Sequence, residues 1–197
     1  MFPHVRGRGL TTEDSVSGTR YDAEMEITAE QLKKLLALEP HPREGGWFRQ
    51  TWRSQETIAG ERMPARYVLG RDAGRAAGTA IYYLLEPDSF SEMHRLASDE
   101  VFHFYLGDPV EMLQLFPDGT GRKVILGSDI AAAMLPQTVV PHGVWQGSRL
   151  VAGGRLALLG CTVSPGFEYA DYESGSRADL NSRWPDWTEM IRGLTHA

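Results

Sequence analysis

In "TAEQLKKLLALEP", residues 28–40, apolar Leu32, Leu35, Leu36 and Leu38 recur at helical spacing. Thr28 stands where a cap belongs, Gln31 follows three residues later and Pro40 supplies a stop, which predicts a short amphipathic helix. The period then changes to two. In "GGWFRQTWRS" Trp47, Arg49, Thr51 and Arg53 fall on one face, and Phe48, Gln50 and Trp52 on the other. Strand-like runs follow in "GTAIYYLLE", "EVFHFYLG", "VEMLQLF", "RKVILG", "QTVVP" and "RLALLGCTVS", divided by turn signals such as "GDP", "PDGTG" and "PHG". So many short strands at close spacing predict a mainly β domain closed as a sandwich or barrel. Residues 60–78, rich in Gly, Ala and Arg, are read either as a flap beside the barrel or as a partly paired strand. Near the end, Pro185 opens a segment with Trp187, Met190, Ile191 and Leu194 at helical spacing, predicting a short C-terminal helix docked on the outside.

Composition narrows the class. A chain of 197 residues, 42% hydrophobic, suits one well-packed core. Residues 1–20 lack periodicity and read as a disordered tail, leaving 21–197 as a single domain. With 26 acidic against 20 basic residues, the net charge of -6 offers no broad positive field for a phosphate backbone, so nucleic acid is not an expected partner despite "RGRG" at Arg6–Gly9. No apolar run reaches the roughly 20 residues of a membrane helix. The one cysteine, Cys161, sits in an apolar run and reads as a small hydrophobe in a reducing, cytoplasmic setting.

Candidate chemistry concentrates in "EMHRLASDEVFHFYLGDPV", residues 92–110. Alternation sends Glu100, Phe102, Phe104 and Leu106 to one strand face, and Val101, His103 and Tyr105 to the other. Glu100 then shares an apolar face. A carboxylate facing a core needs a partner, or its pKa rises and it becomes a poised acid or base. His94, placed before the strand across the "RLASD" turn, is the expected partner; His103 reads as a structural residue at a sheet or subunit surface.

The blocks "EPHPREGGWFRQTWRS", "TAIYYLLEPDSFSEMHRLASDEVFHFYLGDPVEM", "VVPHGVWQGSRL" and "LLGCTVSPGFEYADYE" resemble the DUF985, or cupin_5, group of the cupin superfamily over residues from about 28 to 173. The resemblance implies a double-stranded β-helix, or jelly roll, and a homodimer. It implies little about activity beyond a suggested likeness to sugar-nucleotide epimerases. The superfamily's first motif places His94 at its first His, Glu100 at its Glu and Gly107 at its closing Gly, but Leu96 stands where the second His belongs. In the second motif, "PHGVWQ" supplies Pro141 and Gly143 and puts Gln146 at the ligand His, with His142 in the variable turn position. One imidazole, one carboxylate and one amide make a poor transition-metal site, so no metal cofactor is expected, and a divalent ion at His94, Glu100 and Gln146 is the weaker alternative.

A barrel interior that sets His94, Glu100 and Gln146 against Phe102, Phe104 and Trp145 has the apolar wall and few polar anchors of a small-molecule site. Arg49, with Arg53, reads as a possible clamp for a phosphate or carboxylate, against the plainer reading of a surface ion pair. "PDGTGRK" lacks the phosphate-loop pattern, and no nucleophile elbow occurs. Two functions are compatible with these residues. One is isomerase- or epimerase-like proton transfer on a sugar- or nucleotide-like metabolite, with His94 as acid or base and Glu100 holding its tautomer; the required second proton-transfer group is left open among Tyr82, Tyr83 and Tyr105. The other is metabolite binding without turnover.

Overall fold

The computed structural model describes residues 27–67 and 74–196. The expected tail at 1–20, with its "RGRG", lies outside the described residues, as does the centre of the 60–78 loop.

Two antiparallel sheets face each other. Strands β1 (Glu39–Pro40), β2 (Trp47–Arg53), β5 (Thr79–Leu85), β12 (Ala157–Ser164), β7 (Asp99–Gly107) and β10 (Gln137–Val140) form a six-stranded sheet in that order. Strands β13 (Glu173–Ser174), β6 (Phe90–Arg95), β11 (Trp145–Leu150), β8 (Val110–Leu115) and β9 (Gly121–Leu126) form the other. The non-sequential order, with β12 between β5 and β7, is that of a jelly roll. Residues of both sheets, among them Leu85, Phe102, Met112, Leu126, Leu150 and Leu159, make the central core. A third small pair, β3 (Thr57–Ile58) with β4 (Arg75–Ala76), settles the 60–78 question for its described part: the segment is partly paired. The buried Arg75 ties it to Asp171 and to the carbonyl of Gly166.

Helix α1 (Ala29–Leu35) forms where Thr28 and Gln31 predict it, and both capping-box bonds are present. Its Leu32, with Leu38, covers Leu84, Leu156 and Leu158 on the outward side of the six-stranded sheet. The outward side of the five-stranded sheet is covered by α2 (Arg177–Arg183), a 3-10 turn at Pro185–Trp187 and α3 (Thr188–Gly193). Leu180, Trp184, Ile191 and Leu194 pack there on Met93, Leu113, Leu115 and Trp145. The C-terminal helix is therefore joined by a second, α2, whose Ser176 cap the periodicity did not reveal. Among the described residues no helix is long and apolar enough to cross a membrane.

Of three register irregularities, the one between β6 and β11 falls beside His94, where the pairing steps from Gln146↔His94 to Ser148↔Ser91, and the other two turn side chains to an unexpected face. Across β2 and β5 the pairing runs Gln50↔Ile81 and then Trp52↔Ala80, so Thr51 is an extra residue and Trp52 joins Trp47 and Arg49 on the outward face rather than opposing them. In β7 the pairing with β12 steps from Phe104↔Leu159 to Leu106↔Leu158. Tyr105 is the extra residue there, and Leu106, expected beside Glu100, turns outward to α1 instead.

Candidate functional site

Glu100 and Phe102 point between the sheets because β7 alternates up to its bulge. There they meet a cavity of about 90 Å³ whose lining includes His41, Glu44, His94, Glu100, Tyr83 and Cys161. His94 lies on β6, across the short turn from β7. The ring of Tyr172 stacks on it, centroids 4.8 Å apart.

The two ring nitrogens of His94 have distinct duties. Nδ1 donates to the carbonyl oxygen of Glu92 at 2.7 Å, and Nε2 lies 2.7 Å from the amide nitrogen of Gln146, which can only donate. Nδ1 therefore carries a proton, and the ring is held by Glu92 and Gln146 rather than by the expected Glu100. Glu100 Oε1 stands 3.9 Å from Nε2, beyond hydrogen-bond reach, while its Oε2 accepts a weak bond from the Cys161 thiol at 3.5 Å. Burial pushes the Glu100 carboxyl up from an ordinary 4.5 to about 7, with nearby Glu44 adding to the rise; His94, Cys161 and Gln146 pull the other way without cancelling it. Burial beside Glu100 also holds the Cys161 thiol well above its usual range.

A second acid–base pair enters from "HPREGG". Gly45 and Gly46 both have positive φ, and a side chain at Gly45 would come within 2.3 Å of the Phe90 carbonyl, so only glycine lets the chain turn this close to β6. The turn swings Glu44 and His41 over the cavity. Glu44 accepts from Ser91. His41 Nδ1 accepts from the Glu44 backbone N–H at 2.8 Å, leaving its Nε2–H toward Glu44 Oε2 at 3.8 Å. Burial lowers the His41 pKa despite the neighbouring Glu44. Neither residue was singled out from sequence; the paired glycines were the available signal.

Other expected site residues divide. Phe102 lines the cavity, Gln146 touches it through His94, and Phe104 packs on the core beside it. Trp145 points the other way, under the C-terminal helices with the Arg95 guanidinium 4.6 Å from its ring, so it does not wall the site. Arg49 is exposed on the outward face, opposite Tyr82, and cannot clamp a ligand inside. Arg53 pairs with Glu168. Of the three tyrosines, Tyr83 alone faces the cavity, and its hydroxyl donates to the Gly45 carbonyl at 2.8 Å. Tyr82 and Tyr105 meet edge to face outside. His103 is also on that outer face, beside Thr162 and Gln137, and His142 bonds Asp99 at the surface.

The residues present do not fit the metal centre that the fold family implies. Leu96 contributes an apolar wall, Gln146 directs an N–H at the one imidazole nitrogen a metal would need, and among the described residues no three His, Cys, Asp or Glu side chains are arranged to hold an ion.

Comparison with known proteins places these features. An uncharacterized protein of Saccharomyces cerevisiae, YML079W, is 31% identical over 135 residues, 66% of this chain and 67% of its own length. A hypothetical protein from Leishmania major of known structure is 32% identical, with a TM-score of 0.76 over 87% of this chain and all of its own. A Shewanella oneidensis protein, also 32% identical, gives 0.74 over 86% of this chain and 98% of its own. The model of the family described as Cupin superfamily (DUF985) matches residues 30–175, and the chain belongs to that family.

Proposed function

We propose that the cavity binds a small polar metabolite and that Glu100 exchanges a proton with it, in isomerase- or epimerase-like chemistry. The observation that carries this reading is a carboxyl buried at a cavity wall with its pKa raised to about 7, where it serves as acid or base with equal ease. His94, fixed by Glu92 and Gln146, positions the polar end of a ligand. His41, on a different element from Glu100 and kept neutral by burial, supplies the second proton-transfer group that epimerisation requires. At about 90 Å³, the volume of roughly three waters, the cavity admits a head group or part of a ring; the remainder of a sugar- or nucleotide-like molecule would lie outside its mouth. The proposed setting is the cytoplasm, where Cys161 stays a thiol.

A metabolite library screened by thermal shift against wild type and Glu100→Gln tests the site. The expected hit stabilises wild type and loses most of its effect on the variant; a metabolite bound with affinity indifferent to Glu100, His94 and Gln146 would remove the site assignment. Deuterium uptake by the hit from D2O, followed by NMR, separates proton transfer from binding alone, the second reading that the same residues support.

A further inference from the structure

The charges around the cavity do not balance. Among the described residues its lining holds two carboxylates, Glu44 and Glu100, and neither lysine nor arginine. Neither imidazole is bonded to these carboxylates: burial lowers the His41 pKa and its Nε2 lies 3.8 Å from Glu44, and both ring nitrogens of His94 are taken, by the Glu92 carbonyl and the Gln146 amide. Guanidinium groups on neighbouring segments are engaged elsewhere, Arg53 on Glu168, Arg43 over the ring of Tyr169 and the buried Arg75 on Asp171. Both residues are buried, the Glu100 side chain to more than nine-tenths. A buried carboxylate without a cation must be neutralised by a proton or by a ligand. Glu100 is also under-bonded: among the described residues it is met by the weak bond from the Cys161 thiol and by the Gln146 amide, with no guanidinium or ammonium group. Facing the carboxylates are the rings of Phe48, Tyr83, Phe167 and Tyr169, and aromatic faces attract a cation that has left water.

We infer that the occupant of this cavity is a small organic cation, a protonated amine held between the carboxylates of Glu44 and Glu100 and the surrounding aromatic rings. This deepens the reading of the cavity as a ligand site and depends on it, but it turns away from anionic sugar acids and from any phosphate placed inside. An ammonium group has three donors for the open carboxylate oxygens and supplies the missing positive charge, whereas a carboxylate or phosphate would add a third negative charge at close range.

The probes are ethanolammonium, ethylene glycol and glycolate, which match in size and differ in charge, titrated by calorimetry into the full chain and into Glu44→Gln and Glu100→Gln. At pH 8 ethanolammonium is expected to bind wild type and to lose about tenfold or more in affinity with either variant, while the glycol and glycolate bind no better than to the variants. Glu100 is faced by His94 from β6, Cys161 from β12, Gln146 from β11 and by His41 and Glu44 from the 41–46 turn, and its carboxyl is displaced to about 7. Cation binding at pH 7 should therefore release a fraction of a proton, seen as a dependence of the heat on buffer ionisation enthalpy. Binding of glycol or glycolate that depends on Glu100 overturns the cation inference and leaves the ligand site standing. Ethanolammonium binding unchanged by both substitutions overturns the inference, and failure of all three probes to bind overturns it together with the cavity reading.

Discussion

A buried acid with a pKa of about 7 leaves a mark on stability as well as on chemistry. The folded chain holds the Glu100 proton more tightly than the unfolded chain, whose carboxyl titrates near 4.5. Below that pH both states are protonated and Glu100 contributes no pH dependence. Between about 4.5 and 7 unfolding releases a proton, so stability falls as pH rises, and above 7 the full cost persists, on the order of 3 kcal/mol. Glu100→Gln is therefore expected to be more stable than wild type at pH 8, by up to that amount, and no more stable at pH 4; urea titrations at the two pH values measure it. A variant destabilised at pH 8 would show that the charge is better solvated than its burial implies. Glu100 was legible in the sequence because one carboxylate interrupted an alternating apolar face. His41 and Glu44 were not, since they reach the site by the path of a turn and no periodicity marks them.

At the level of elements, the turn at Gly45–Gly46 carries the prediction. Gly45 has φ of +95° and its carbonyl accepts the Tyr83 hydroxyl, so Gly45→Ala would strain the backbone and press a methyl on the Phe90 carbonyl. The expected cost is roughly 2 to 4 kcal/mol, read from chemical denaturation, with ligand binding lost in parallel because Glu44 and His41 move with the turn. Strands whose inward residues are mostly apolar, such as β5 and β12, could be read from alternation alone. Those carrying the site, β6 and β11, could not: "FSEMHR" and "WQGSRL" bury Ser91, Glu92, His94, Gln146 and Ser148, and so look like loop until their partners are known. The bulges at Thr51 and Tyr105 were equally hidden, for an extra residue turns the next side chains to the opposite face without changing composition.

For the whole molecule, the asymmetry between the sheets suggests its assembly. Helices cover the outward side of the five-stranded sheet, but on the six-stranded sheet one row of cross-strand neighbours, Trp52, Ala80, Thr162, Val101 and Val139, runs over five strands with Trp52 50% and Val139 45% exposed. We propose that this row meets its own copy in a homodimer. Light scattering after size exclusion should give twice 21.9 kDa, and Val139→Arg should give the single mass; a wild-type monomer at micromolar concentration would refute the interface. The covered sheet has a different consequence. In the strand bearing His94 the Met93 N–H donates to the carbonyl of Leu194 at 2.7 Å, and the Met93 carbonyl accepts from the N–H of Gly175. β7, which bears Glu100, is flanked by β12. The strand that bears His94 is thus held by backbone bonds from chain far downstream of it, so a truncation that removes Leu194 should loosen the site although every lining residue remains.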